Sequence, residues 1–190
     1  MQFYRLLILK LAVILSLLSL MFSLTFAQDA ELPRLIMANR TGFHPEGIVW
    51  DADNNRFLTG SLTEGTVFEI ADDGRVTPFI EDEDLVATLG IHIDQENDRL
   101  LVANGELSDD PEATGLAQLG IYDLNTGERL YLVDLGSLLE EGHHLANSVT
   151  TDADGNAYIT DSFSPVIYKV TPEGEASVFA ESQEFASETF

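Results

Sequence analysis

The chain has no cysteine and only two lysines, Lys10 and Lys169. Without cysteine there can be no disulfide and no thiol chemistry, so stability must come from a packed core or a bound ion. Basic residues are scarce, at 9 Lys and Arg against 33 Asp and Glu. So acidic a surface repels nucleic acid and anionic membranes and attracts cations. No nucleic-acid partner is expected. Ser61, Ser108, Ser148 and Ser162 lie outside any Gly-x-Ser-x-Gly context, which removes the nucleophile elbow. No phosphate loop or dinucleotide fingerprint is present.

What is present begins with a targeting segment. Arg5 and Lys10 form a short basic start, Leu11–Leu24 is apolar apart from serines, and Thr25-Phe26-Ala27 offers small residues at the −3 and −1 positions. These are the three parts of a secretory signal peptide. The reading is therefore a signal peptide over 1–27, export to a periplasmic or extracellular compartment, and no stable membrane span after cleavage. The mature part, 28–190, keeps seven basic residues against 33 acidic ones, a net charge of −26. Its Leu, Val, Ile and Phe fall in patterned runs, which argues against a disordered acidic chain.

One pattern occurs three times. Glu46-Gly-Ile-Val-Trp-Asp51 leads through an Asp/Asn turn into Arg56-Phe-Leu-Thr-Gly. Leu89-Gly-Ile-His-Ile-Asp94 leads likewise into Arg99-Leu-Leu-Val-Ala. Asn147-Ser-Val-Thr-Thr-Asp152 leads into Ala157-Tyr-Ile-Thr-Asp. An outer hairpin follows each: Thr66–Ile70 with Val76–Ile80, Gly120–Leu124 with Leu130–Asp134, and Val166–Val170 with Ala176–Phe179. Enrichment in Val, Ile, Phe and Thr, with Asp-Gly turns between, reads as four short antiparallel strands per repeat. Such units are blades of an all-β propeller. The blades run over about 42–84, 85–140 and 141–182. Leu35-Ile36-Met37 is expected to form a lead-in strand, and Gly105–Leu119 an acidic insertion on one face. Propellers close rings of roughly 4–8 blades. Three make half of a six-bladed ring, so the chain is expected to be a truncated one rather than half of a ring completed by oligomerisation.

Aligning the repeats places Glu46, Leu89 and Asn147 at one position, the start of the innermost strand. There, side chains converge on the central channel. A carboxylate and a carboxamide oxygen are hard ligands suited to a divalent cation, Ca²⁺ above all. His44 and the pair His143–His144 lie in the loops just before the two donor-bearing strands. His143 and His144 are candidate catalytic groups, and His44 and Asn104 candidate substrate contacts. His92, inside a strand, reads as a packed side chain. Asp152-Ala-Asp-Gly-Asn156 lacks the ligand spacing of an EF-hand and reads as a hairpin turn.

The order His44-Pro45-Glu46-Gly47-Ile48, followed by Ala146-Asn147-Ser148-Val149 and Asp152-x-Asp-Gly-Asn-x-Tyr158-Ile-Thr-Asp161-Ser, resembles the SMP-30/gluconolactonase/LRE-like family. The resemblance covers about residues 42–180, the N-terminal half of that family's ring. It implies a six-bladed propeller with a divalent metal on its axis and hydrolysis of lactones or related esters. It also implies Glu46 as a metal ligand and Asn147 lining the metal or substrate site. Further Asn and Asp ligands come from later blades in that family. Asn-Asp or Asn-Gly is commoner there than Asn147-Ser148. The fragment, holding half a coordination sphere, is expected to be inactive alone. The alternative is a non-catalytic secreted propeller that binds a protein, peptide or sugar.

Overall fold

The computed structural model describes residues 35–106, 114–139 and 142–185. The expected signal peptide lies outside them, as do residues 107–113 of the insertion. The described chain contains twelve β-strands in three successive antiparallel sets of four. The first set is β1 (Pro45–Asp51), β2 (Arg56–Ser61), β3 (Thr66–Ile70) and β4 (Val76–Glu81). The second is β5 (Ala87–Asp94), β6 (Arg99–Glu106), β7 (Gly115–Asp123) and β8 (Arg129–Asp134). The third is β9 (His144–Thr151), β10 (Ala157–Asp161), β11 (Val166–Val170) and β12 (Ala176–Glu181). Each set meanders, with every strand paired to its neighbour in sequence. The second and third sets join where Gly115 and Leu116 of β7 pair in parallel with His144 and Leu145 of β9.

Two expectations are corrected. Leu35–Met37 forms no strand; Leu35 and Met37 are exposed and have no core to face. The insertion is shorter than Gly105–Leu119, because β6 and β7 pair without a break from Arg99↔Asp123 to Glu106↔Leu116. Alternation between two buried faces keeps this long hairpin extended beyond the repeat common to the other blades.

Apolar side chains fill the seams between sets. Leu58, Val67 and Ile80 of the first set pack with Ile91, Leu100, Val102 and Tyr122 of the second. Leu101, Leu119 and Ile121 of the second pack with Ile159, Val166 and Tyr168 of the third. Residues alternate strictly: Leu100 faces back to the first set and Leu101 forward to the third. The outer sides stay open. On the first set Ile48 is 63% exposed and Trp50 stacks on Phe57; on the third Phe179 is 58% exposed against Tyr158.

Buried ion pairs lock the turns of the first two blades. Arg56 reaches Asp51 (2.9 Å) and donates to the Leu124 carbonyl of the next blade (2.6 Å). Arg99 pairs with Asp94 and donates to the Gly155 carbonyl of the third (2.8 Å). Burial opposes ionisation of Asp94, but hydrogen bonds from Arg99 and Asn97 outweigh it and hold the carboxyl below its usual range. The third turn is one residue shorter, and the Asp152 amide donates to the Asn156 carbonyl. Asn156 therefore stands where the arginines stand. Its amide binds the Asp152 carboxylate (2.9 Å), and this with the Tyr158 hydroxyl and backbone amides pulls that carboxyl down to about 2.

A carboxyl depressed by folding stabilises the native state above its unfolded pKa, near about 4, and that contribution is lost as pH falls through the folded value. For Asp152 the loss falls between about 4 and about 2. Asn156→Ala should raise the Asp152 pKa toward the ordinary carboxylate range, as read by NMR titration. It should also flatten the acid dependence of urea unfolding in that window. An unmoved Asp152 titration would contradict the assignment.

Candidate functional site at the start of the inner strands

The register confirms that Glu46, Leu89 and Asn147 are equivalent. Each follows a residue paired with the position five beyond Arg56, Arg99 or Asn156: Pro45↔Ser61, Thr88↔Asn104 and Ala146↔Asp161. Each lies at an irregularity in the ladder or beside one, where β-bulges redirect side chains.

The three inner strands also touch in succession. Gly47 has φ +63°, and a Cβ there would lie 2.7 Å from the Leu89 carbonyl oxygen. A Cβ on Gly90 would overlap the Asn147 carbonyl oxygen. Only glycine allows so close an approach of two backbones. The spacing between equivalent positions is thus set by backbone contact.

The side chains at these positions differ in what they do. The Glu46 carboxylate is half-buried and makes no hydrogen bond or ion pair among the described residues. The Asn147 amide nitrogen donates to Ser162 Oγ (2.8 Å), leaving its carboxamide oxygen without a partner among the described residues. Leu89 is buried in a small cluster with Ala87 and Leu145, flanked by Leu62. Two oxygen donors therefore stand on the first and third inner strands, with the apolar Leu89 strand between them. Their chemistry fits a hard cation. They are short of the roughly 6–8 oxygens that calcium takes. Among the described residues no three His, Asp or Glu side chains cluster as a metal site.

The other candidate residues separate from this pair. His44 is exposed with φ +41°, and its carbonyl accepts the Leu62 amide (3.0 Å). His143 is exposed, and its carbonyl accepts the Ser164 hydroxyl (2.8 Å). His144 is buried, with Nδ1 3.3 Å from Asp161 Oδ2 and 3.2 Å from Ser164 Oγ. Asn104 is fully buried. It accepts the Val86 amide (2.8 Å) and donates to the Asp84 carbonyl (3.1 Å) and to Gln118 (2.8 Å). Its hydrogen-bonding capacity is taken up by the fold. His92 Nε2 lies 3.1 Å from Thr151 Oγ1 across the blade seam, and burial pulls its pKa down against the pull of Asp94.

Sequence reasoning missed a second recurring position. Ser61, Asn104 and Asp161 hold equivalent places on the second strands, and each is a buried polar post that ties down the chain leading into an inner strand. Ser61 Oγ donates to the Phe43 carbonyl and accepts the amides of Thr63 and Glu64. Asp161 Oδ1 accepts the amides of Leu145 (3.0 Å), Phe163 (2.9 Å) and Ser164 (2.9 Å). Its Oδ2 accepts the Tyr168 hydroxyl (2.9 Å). Burial and the adjacent Asp161 push the Tyr168 phenol far above its ordinary range.

No family model matches the sequence, and no curated protein matches it. Solved structures do. A chain of a nidogen/laminin complex matches at 15% identity over 77% of this chain and 51% of its own, with TM-score 0.55. A gluconolactonase from Xanthomonas campestris matches at 17% identity over 77% and 49%, with TM-score 0.53. A protein of unknown function from Bacteroides thetaiotaomicron matches at 17% identity over 75% and 35%, with TM-score 0.50. The chain thus spans about half the length of the first two. At these identities the likeness shows the fold alone, and the fold is that of β-propeller blades.

Proposed function

We propose that this chain contributes to a divalent-metal-dependent hydrolase of lactones or related esters, with Glu46 and Asn147 holding part of the shell of a Ca²⁺-type ion. The observation that carries the reading is the pair of unpartnered oxygen donors at equivalent positions on the first and third of three inner strands that touch in succession. The structural likeness to a gluconolactonase supports it. A divalent ion bound there supplies Lewis acidity toward an ester carbonyl. The chain's own part is positional. Backbone contact at Gly47 and Gly90 fixes the donors' spacing, and Ser162 turns the Asn147 oxygen free for a cation. His44 and His143, exposed just before the two donor strands, are placed to meet a substrate. The remaining oxygens come from water or substrate.

Calcium titration of this chain by calorimetry tests the reading. Glu46→Gln keeps shape and removes charge. It should weaken calcium binding by at least about tenfold. Calcium affinity unchanged in Glu46→Gln would overturn the ligand role. No calcium binding would leave a non-catalytic binding propeller, the runner-up consistent with the nidogen/laminin likeness.

A further inference from the structure

A cavity of about 350 Å³ opens at the seam between the second and third blades, where the insertion leaves and the third inner strand begins. Thr114, Ala117, Asp134, Ser137, Leu139 and His144 line it. It is separate from the axial pair and plays no part in the reading above.

The chemistry of His144 decides what the cavity can hold. The residue is only 7% exposed. Both neighbours of its Nδ1 are acceptors. Asp161 is one; the Ser164 hydroxyl is the other, its own proton being committed to the His143 carbonyl. Nδ1 therefore carries the ring proton, and in the neutral imidazole Nε2 is left as a lone-pair acceptor. Nε2 makes no hydrogen bond among the described residues, yet it is not a sealed, unsatisfied atom. The ring edge that bears it faces the cavity-lining glycines: ideal Cβ positions at Gly136 and Gly142 fall 3.4 Å from Cδ2 and 3.6 Å from Cε1. Both glycines keep this side of the ring uncovered.

The second fixed group is another acceptor. Asp134 ends β8 and takes the Ser137 amide on Oδ1 (3.3 Å), while Oδ2 makes no hydrogen bond among the described residues. Two acceptors, two hydroxyls that can give or accept, and an apolar floor of Ala117 and Leu139 require a ligand that donates hydrogen bonds and has a C–H face. An anion is repelled by Asp134. No third His, Asp or Glu among the described residues completes a metal cluster. The volume is at the lower end of the roughly 300–1,000 Å³ of small-molecule sites. We propose that this cavity binds a neutral, monosaccharide-sized polyol, whose hydroxyls donate to His144 Nε2 and to the Asp134 carboxylate.

The test is titration of the ¹⁵N-labelled protein with D-glucose, following the imidazole nitrogens and the amides. Saturable shifts at His144 Nε2 and around Asp134 are expected, with Nδ1 staying protonated. Asp134→Asn, on an exposed strand end, should leave the fold intact and weaken binding at least fivefold. An unmoved His144 Nε2 would overturn the proposal. Equal binding by Asp134→Asn would overturn it too, as would displacement of glucose by stoichiometric Zn²⁺ with a Zn-type shift at Nε2. Calcium binding through Glu46 is a separate readout, so loss of one result does not carry the other.

Discussion

Arg99→Ala is expected to destabilise the native state by about 3–5 kcal/mol, enough to unfold a marginal domain. The reason is what the arginine leaves behind. Asp94 is 6% exposed, and Arg99 supplies much of the hydrogen bonding that outweighs the cost of its burial. Without the guanidinium an ionised carboxylate is stranded in the seam, and the Gly155 carbonyl loses its donor. The effect belongs to breaking the pair and not to the pair's net worth. Replacing both partners by apolar residues of similar size should therefore cost much less than Arg99→Ala alone. Urea unfolding of the two single variants and the double variant decides this. A double variant as unstable as Arg99→Ala would mean that the cross-blade bond to Gly155 dominates.

Asp161→Ala is the second large loss, about 3 kcal/mol or more. Three backbone amides lose their acceptor on Oδ1, and the buried Tyr168 hydroxyl loses its acceptor on Oδ2. Each unsatisfied buried donor costs about 1–3 kcal/mol, less where water can enter. Asp161→Asn keeps an acceptor oxygen for the amides but presents an NH₂ toward the Tyr168 hydroxyl and the protonated His144 Nδ1. It should be intermediate in unfolding midpoint and should release the Tyr168 phenol toward its usual pKa, visible in ultraviolet titration. Equal stability of wild type and Asp161→Ala would remove the post from the account.

The twelve strands were legible because period-2 apolar runs between Asp-rich turns carry both the element type and the repeat. Glu46, Leu89 and Asn147 were legible for the same reason: equivalence follows from counting back from Asp51, Asp94 and Asp152. Counting forward from those aspartates fails in the third blade. Its turn is one residue shorter, so Asp161 and not Ser162 is the counterpart of Asn104 and Ser61. The local signal was an acceptor followed by a tight polar turn, Ser61-Leu-Thr-Glu64 and Asp161-Ser-Phe-Ser164. The length of the β6–β7 hairpin was hidden because Gly, Glu and Gln in it look like loop residues until both faces are covered. The meeting of His144 with Asp161 and Tyr168 depends on three strands packing together, which no local pattern encodes.

The arginines that cross the seams give the array a direction. Arg56 holds on to the second blade and Arg99 to the third, each reaching forward along the chain. At the third blade the corresponding place is taken by Asn156, which folds back onto its own Asp152. The relay of cationic arms ends there. Whatever packs against the far side of the third blade meets Tyr158 and Phe179 with no arginine reaching across from this turn. A surface docked on that side would rest on aromatic contacts, so the junction should tolerate salt and acid better than the two seams before it.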